Sequence, residues 1–214
     1  MHMGFSVGVH LTLTCEYRGY RWRGLTNGAS LRGNEGFFPA TTKIAVQRLD
    51  VSDARAGCRA QLETALSLRV DVTHLDTHMN VLQAQADLYE IYLDLAAEFR
   101  PPVRMFSQSG AEKRSFQSRV RAEARGLLFN EHIVNPWPRR TRDVFFEEIP
   151  KLPPGVSEIF THPVLDGEVL RAYDTDNADI RAHDTACLND PMVSDLLELR
   201  PRRRHGAVPG QGPT

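Results

Sequence analysis

Alternation of apolar and polar side chains predicts a β-strand near the beginning of the chain. From residue 5 to residue 14 every second side chain is apolar, and the positions between them are small or polar. Since successive side chains of a strand point to opposite faces, the segment has one apolar face and one polar face that carries His10. We therefore predict a half-buried strand over residues 5–14.

Two apolar stripes at helical spacing follow this strand. The first lies in residues 51–68, with Ser52 or Asp53 as the predicted N-cap, and comprises Ala54, Cys58, Leu62, Ala65 and Leu66. The second lies in residues 84–99 and stops before two prolines at 101–102. Residues 69–73 form a predicted strand between the two helices. The order strand, helix, strand is typical of a parallel α/β sheet.

The rest of the chain continues the α/β pattern with shorter segments. We predict a short strand over 103–106, a charged helix over 108–129, a short helix over 143–149, a strand over 156–163 and a last helix over 190–199. Residues 200–214 are rich in arginine, proline and glycine and predict a disordered tail. No internal repeat is present, so residues 1–199 are predicted to be a single domain.

Composition excludes several classes of protein. The 214 residues have a formal net charge of −1 and are 41% hydrophobic, which fits one globular domain with a sizeable core. A charge near zero gives no general attraction to nucleic acid or anionic membranes. No apolar run reaches the roughly 20 residues of a membrane span, and no signal peptide is evident. Cys15, Cys58 and Cys187 are scattered and odd in number, so we predict reduced thiols in a cytoplasmic protein.

A long irregular segment over residues 15–42 interleaves aromatic residues with arginines, among them Trp22. A loop of this length inside a compact domain is usually functional or disordered. Its aromatic side chains could stack on single-stranded nucleic acid, line the rim of a sugar site, or pack the loop against the body of the protein. The residues alone leave these three interpretations open.

The stretch that carries most chemistry is residues 71–80, with His74, Asp76 and His78 at alternate positions. If the preceding strand continues, all three side chains point to one face. Burying them together is costly unless a divalent metal or a proton relay satisfies them. The alternative is a surface strand end whose polar residues face water.

Histidines at the ends of other predicted strands favour the metal site. His10 lies at or near the carboxyl end of the first predicted strand, His74 and His78 at or near that of the second, and His162 near the end of the segment 156–163. Sites of parallel α/β folds lie at the carboxyl ends of their strands, and histidine is the commonest metal ligand. We therefore predict that these histidines gather at one edge of the fold.

Three motifs in this order resemble those of a known family. Residues 7–14 (VGVHLTLT), 73–78 (THLDTH) and 157–163 (SEIFTHP) are similar to motifs of the YdjC-like (ChbG/HpnK) carbohydrate deacetylases. The resemblance extends from about residue 5 to about residue 197. It implies a deformed β/α-barrel of the polysaccharide-deacetylase-like type, which removes acetyl groups from N-acetylated amino sugars with one divalent metal ion, Mg or Zn.

The resemblance also implies roles for individual residues. His10 and His78 match the metal ligands, and His162 matches a histidine near the scissile amide, a general acid. His74, Asp76 and Glu158 match motif positions that support or orient the site, and His74 and Asp76 are counted with His162 as candidate catalytic residues. Arg104 falls where the family has a strand-borne arginine that faces substrate. Arg104, Glu158 and Trp22 of the aromatic loop are the candidate substrate-binding residues.

The chain departs from the family pattern in one respect, and this departure leads to two different functional hypotheses. Members of the family begin with a strand ending in an Asp-Asp pair, one a metal ligand and the other the general base, and this chain has no such pair. The first family strand is therefore expected to be missing, which leaves an inactive remnant as the alternative to a deacetylase.

The expected partner is an acetylated sugar, with no membrane or nucleic acid, and a homodimer is the candidate assembly. A nucleic-acid-binding module that uses the arginine- and aromatic-rich loop and the basic tail is the weaker third hypothesis.

Overall fold

A computed structural model describes residues 5–33, 35–106 and 118–199. Within these ranges the chain divides into two compact units. The first contains the described residues up to Phe129 except 18–20, and the second contains 18–20 and the residues from Asn130 onward. The prediction of one domain over residues 1–199 stays a prediction, and the predicted tail over 200–214 lies outside the described residues.

The first unit is built on the predicted strand–helix–strand arrangement. Strand β1 (Val7–Leu11) pairs in parallel with β2 (Val72–Thr77), and helices α1 (Thr42–Arg48) and α2 (Val51–Ser67) lie between them in the chain. The strand prediction for residues 5–14 is confirmed at its centre. Phe5 is 76% exposed, whereas Leu11 and Leu13 are fully buried, so only the end of the segment near the site lies in the core.

Beyond β1, an amide side chain takes the place of a strand partner. The Thr12 N–H donates to Gln61 Oε1 at 2.8 Å, and Gln61 Nε2 donates to the Thr12 carbonyl at 2.8 Å. Both backbone groups of Thr12 are thereby satisfied without a neighbouring strand. The chain after His10 is therefore held extended by helix α2.

Helix α2 confirms the predicted helix but not its predicted cap. Its N-cap is Asp50, whose carboxylate accepts hydrogen bonds from the Ser52 and Asp53 N–H groups. The prediction of Ser52 or Asp53 was wrong because both already belong to the first turn, where their N–H groups need an acceptor. Of the predicted stripe, Ala54, Cys58 and Leu62 are buried, and Leu66 is exposed.

After β2 the chain turns sharply and enters the most buried helix of the first unit. A 3₁₀ segment (His78–Gln83) contains Met79 and Asn80 at positive φ, 48° and 55°, and is followed by α3 (Ala86–Phe99).

The predicted strand at 103–106 is reduced to a single residue, Val103, which bridges Leu75 and Phe129. Helix α4 (Ser118–Ala124) is the described part of the predicted helix over 108–129. Its residues 108–117 are not described, and at Gly126, with φ 66°, the chain is no longer helical.

The second unit has its own small sheet and core. Strands β3 (His132–Val134) and β4 (Ser157–Ile159) pair in parallel, so the predicted strand over 156–163 is confirmed only at its beginning. The helices of this unit are α5 (Thr141–Glu148), a 3₁₀ turn (Ile149–Lys151), α6 (Glu168–Tyr173), α7 (Ala178–Leu188) and α8 (Pro191–Glu198). Phe145, Ile149, Cys187 and Val193 form its buried apolar cluster. Helices α5 and α8 confirm the predictions for 143–149 and 190–199.

The architecture confirms a mixed α/β fold with parallel strand pairs. The strands of the described residues form two small open sheets, β1–β2 and β3–β4, so the closed barrel stays a prediction. All three cysteines are buried thiols, and burial raises the pKa of the Cys58 thiol to about 12. Among the described helices none is long and apolar enough to cross a membrane.

Candidate active site

Parallel pairing of β1 with β2 places the first histidine opposite a carboxylate. His10 and Asp76 are register partners, and His10 Nδ1 lies 2.6 Å from Asp76 Oδ1. An ionised carboxylate can only accept a hydrogen bond, so Nδ1 of His10 carries the proton. In a neutral His10 ring the other nitrogen, Nε2, then presents a lone pair.

The second histidine stands immediately after β2, at the start of the 3₁₀ segment. His78 Nδ1 lies 3.1 Å from His10 Nε2, and His78 Nε2 lies 2.8 Å from Glu16 Oε2. The two rings meet edge to face, with centroids 5.2 Å apart. Each imidazole therefore has one nitrogen bound to a carboxylate and the other turned toward the neighbouring ring.

This arrangement fits a cation between the two rings. With both outer nitrogens donating to carboxylates, the facing nitrogens of two neutral imidazoles both carry lone pairs and cannot hydrogen-bond to each other. Two nitrogens that bind one metal ion at ~2.0–2.1 Å stand roughly 2.9–3.4 Å apart, depending on coordination geometry. The observed 3.1 Å lies in that interval. The residues that could hold a metal are thus His10 and His78.

A third protein ligand is not supplied by the described part of the chain. Among residues 5–33, 35–106 and 118–199, no group of three or more His, Cys, Asp or Glu side chains is arranged to hold a metal ion. Catalytic zinc sites generally use three protein ligands. The histidine pair by itself is therefore a two-ligand site.

Asp76 links the histidine pair to an arginine. Its second oxygen, Oδ2, lies 2.6 Å from Arg104 Nη1, and the Asp76 side chain is only 11% exposed. Burial, the largest influence, would raise the pKa of Asp76. The hydrogen bond from His10 and the charges of His10, Arg104 and His74 outweigh burial and hold that pKa below its ordinary value. Asp76 is therefore an ionised anchor. Its contact with Arg104 places that residue near the same end of the sheet as His10, as the sequence predicted.

His74 packs over the beginning of β1. Its Nδ1 lies 3.0 Å from the Thr73 hydroxyl. A Cβ atom placed on Gly8 would lie 2.3 Å from His74 Nε2, so the absence of a side chain at Gly8 makes room for the ring. The alternate spacing of His74, Asp76 and His78 thus brings all three toward β1, as the pattern predicted.

A cavity of about 360 Å³ opens beside the histidine pair. Trp22 contributes one wall, its Nε1 donating to the Thr14 carbonyl at 2.9 Å and its ring lying 6.1 Å from the His78 ring between centroids. The lining consists of His10, Thr12, Trp22, Arg23, Gly24, Leu25, Phe38, Gln61 and His78. The aromatic loop therefore forms the wall of a pocket with both imidazoles at its surface, the geometry of a small-ligand site.

The second unit contains the remaining predicted residues. The His162 ring meets Trp137 and Phe160 edge to face, with centroids 5.4 Å and 5.7 Å away. The His162 N–H donates to Asp184 Oδ2 at 2.8 Å, and the Thr141 hydroxyl donates to Asp184 Oδ1. Glu158 lies in β4 and pairs in register with Ile133.

Sequence reasoning missed two carboxylates, Glu16 and Asp184, that hold predicted histidines. Glu16 lies in the irregular segment 15–42, where no periodicity predicts the direction of a side chain. Asp184 lies on α7, which was not predicted because its apolar stripe is weak. Neither bond has a signature in the sequence. The general preference of ligand histidines for a carboxylate on the second ring nitrogen indicates that a residue such as Glu16 exists, but not which residue it is.

Comparison with known proteins identifies the family. The family model described as YdjC-like protein matches residues 1–199. The chain belongs to the YdjC-like protein family. This agrees with the resemblance carried by the three sequence motifs.

Relatives of this YdjC-like chain are named carbohydrate deacetylase. The Thermus thermophilus protein is 31% identical over 204 residues, covering 91% of this chain and 74% of the relative. The Clostridium beijerinckii protein is 35% identical over 109 residues, covering 50% and 41%. The Geobacillus stearothermophilus protein is 26% identical over 201 residues, covering 92% and 73%.

A solved structure supports the same fold. An Enterococcus faecalis protein, described as a candidate cellobiose-phosphate cleavage protein, superimposes with a TM-score of 0.76 at 19% identity. The match covers 91% of this chain and 74% of that protein. At this identity the similarity establishes the fold.

Proposed function

We propose that this chain is a carbohydrate N-deacetylase that hydrolyses the acetamide of an N-acetylated amino sugar with one divalent metal ion, Mg or Zn. The family and the names of its relatives support the reaction class. The observation that carries the metal assignment is the 3.1 Å separation of His10 Nε2 and His78 Nδ1, each ring bound to a carboxylate through its other nitrogen.

In this proposal His10 and His78 are the residues that would hold the metal ion, at the wall of the pocket. A divalent cation there supplies Lewis-acid polarisation of the acetyl carbonyl and lowers the pKa of a water molecule. Asp76 holds the proton of a neutral His10 on Nδ1, so that Nε2 would be available to the ion, and Arg104 neutralises the buried carboxylate. Trp22 offers an apolar ring face to the sugar.

Hydrolysis breaks the C–N bond of the acetamide and forms a C–O bond from water. The attacking water therefore gives up a proton, and the departing amine must gain one. We assign that proton to the His162 ring as the general acid, on the resemblance of its His-Pro motif. Asp184 accepts a hydrogen bond from the His162 N–H and so fixes the backbone position from which the His162 side chain extends. The products are acetate and a free amino sugar.

One observation favours a second candidate, a protein of the same fold that binds metal too weakly to catalyse. The described residues offer two histidines and no third ligand from His, Cys, Asp or Glu. The metal content of the purified chain distinguishes the candidates. Near-stoichiometric zinc or magnesium supports the deacetylase, and a chain that retains no ion after addition of either metal supports the second candidate.

The function is tested by acetate release from soluble N-acetylglucosamine oligomers. We expect metal-loaded protein to release acetate and His78→Ala to release none above background. His132→Ala is the matched control, because His132 is a histidine of β3 with no assigned role, and it should retain activity. Unchanged turnover in His78→Ala, or no acetate from any acetylated sugar tested, would rule out the proposal.

A further inference from the structure

The carboxylate of Glu16 is built into the wall around the histidine pair. Its Oε2 lies 2.8 Å from His78 Nε2, and the Glu16 and His78 side chains are 27% and 19% exposed. The backbone around Glu16 is fixed, because the Cys15 N–H donates to the Pro39 carbonyl at 2.8 Å. The Glu16 carboxylate is therefore held in place rather than extended into solvent.

We propose that Glu16 is a positioning residue that fixes the tautomer of His78 and thereby keeps the facing nitrogens open to a cation. As an acceptor, the carboxylate requires His78 to carry its proton on Nε2. Nδ1 of a neutral His78 ring then presents a lone pair toward His10. This inference rests on the proposed function only in taking a divalent cation as the ligand of the pair.

Removal of the carboxylate allows a competing state. Without Glu16, His78 is free to carry its proton on Nδ1 and to donate it to His10 Nε2, which lies at hydrogen-bond distance, 3.1 Å. That bond occupies both nitrogens that would otherwise bind the cation. Glu16 therefore prevents the two rings from satisfying each other.

The two histidines are controlled by separate carboxylates from different elements. Asp76 comes from β2 and fixes His10, whereas Glu16 comes from the segment after β1 and fixes His78. Asp76 also bonds to Arg104, so its loss disturbs more than one partner. Substitution of Glu16 is consequently the cleaner test of tautomer control.

The test measures zinc affinity and histidine tautomers in the full-length chain. By titration calorimetry with Zn²⁺, Glu16→Ala should bind roughly 10- to 100-fold more weakly than the unmodified protein, the usual effect of losing a carboxylate that orients a ligand histidine. Glu16→Gln keeps an oxygen that can accept the Nε2 proton and should lose less. Glu35→Ala is the matched control, since Glu35 lies in the same loop and pairs with Arg21 instead.

Nitrogen-15 NMR of the metal-free protein provides the readout independent of activity. We expect the Nε2–H tautomer at His78 in the unmodified chain and a shift toward Nδ1–H in Glu16→Ala. Zinc affinity within twofold of the unmodified protein together with an unchanged tautomer would overturn the proposal, as would an unmodified chain that binds no Zn²⁺. Zinc affinity that depends on Glu16 in a protein that releases no acetate would instead overturn the deacetylase function and leave this role intact.

Discussion

Carboxylates hold histidines in both units, but they bond to different parts of the residue. In the first unit Asp76 and Glu16 bond to the ring nitrogens of His10 and His78. In the second unit Asp184 bonds to the backbone N–H of His162, whose ring meets aromatic side chains. One arrangement fixes which nitrogen carries a proton, and the other fixes where the residue sits.

The difference separates two tasks that histidines perform. A metal ligand needs a defined lone pair, which a carboxylate on the opposite nitrogen provides. A general acid must exchange a proton, and an anchor on its backbone positions it without specifying a tautomer. Loss of Asp76 should therefore change metal binding and stability together, whereas loss of Asp184 should change stability without changing metal affinity.

The largest effect is expected for Asp76→Ala. The substitution leaves the mostly buried Arg104 guanidinium without this carboxylate and removes the acceptor of His10, which should lower the free energy of unfolding by about 3 kcal/mol. Urea denaturation measures the change, and zinc affinity should fall with it. Asp71→Ala, at an exposed aspartate just before β2, is the control. A loss of stability no larger than that control would contradict the anchoring role.

Asp184→Ala should have the next largest effect. It removes the acceptor of both the His162 N–H and the Thr141 hydroxyl inside a buried site, and we expect a loss of about 2 kcal/mol in urea denaturation. Zinc affinity should stay at the level of the unmodified protein. If zinc affinity fell as well, the expectation that Asp184 affects stability without affecting metal binding would be contradicted.

Thr141→Val separates the two bonds made by Asp184. The substitution removes the hydroxyl donor and leaves the bond to His162 in place, so the expected loss is about 1 kcal/mol by the same measurement. A loss equal to that of Asp184→Ala would show that the His162 bond contributes nothing.

An effect about as small as that of Thr141→Val is expected for Gly8→Ala, which probes His74. The added Cβ overlaps the His74 ring, which must move aside, at a cost of about 1 kcal/mol. Zinc affinity should change little, because neither His10 nor His78 is displaced directly. Gly19→Ala, where an added Cβ meets no atom within 4 Å, should leave stability unchanged. A large loss of zinc affinity in Gly8→Ala would assign His74 to the metal site itself.

Much of the first unit could be predicted from the sequence because its signals are periodic. Alternation identified β1, and apolar stripes identified α2 and α3, since burial of one face follows the period of the element. Alternate spacing over residues 74–78 also predicted that the side chains of His74, Asp76 and His78 point to one face. Their meeting with His10 followed from parallel pairing, which places the carboxyl ends of neighbouring strands together.

The parts that were missed depend on contacts rather than on period. Asp50 caps α2 because its carboxylate reaches two N–H groups, a choice between neighbouring polar residues that the pattern leaves open. Glu16 reaches His78 through an irregular segment, and Asp184 reaches His162 from a helix with little apolar asymmetry. Long-range side-chain bonds of this kind have no signature in a single sequence.

Zinc stoichiometry tests most directly whether His10 and His78 share one cation. Equilibrium dialysis of the full chain against Zn²⁺ should give one ion per chain, and His10→Ala and His78→Ala should each abolish that binding. His10 and His78 are the two protein ligands proposed among the described residues, so the loss of either one should prevent tight binding. Retention of one tightly bound ion in either single variant would contradict a shared cation.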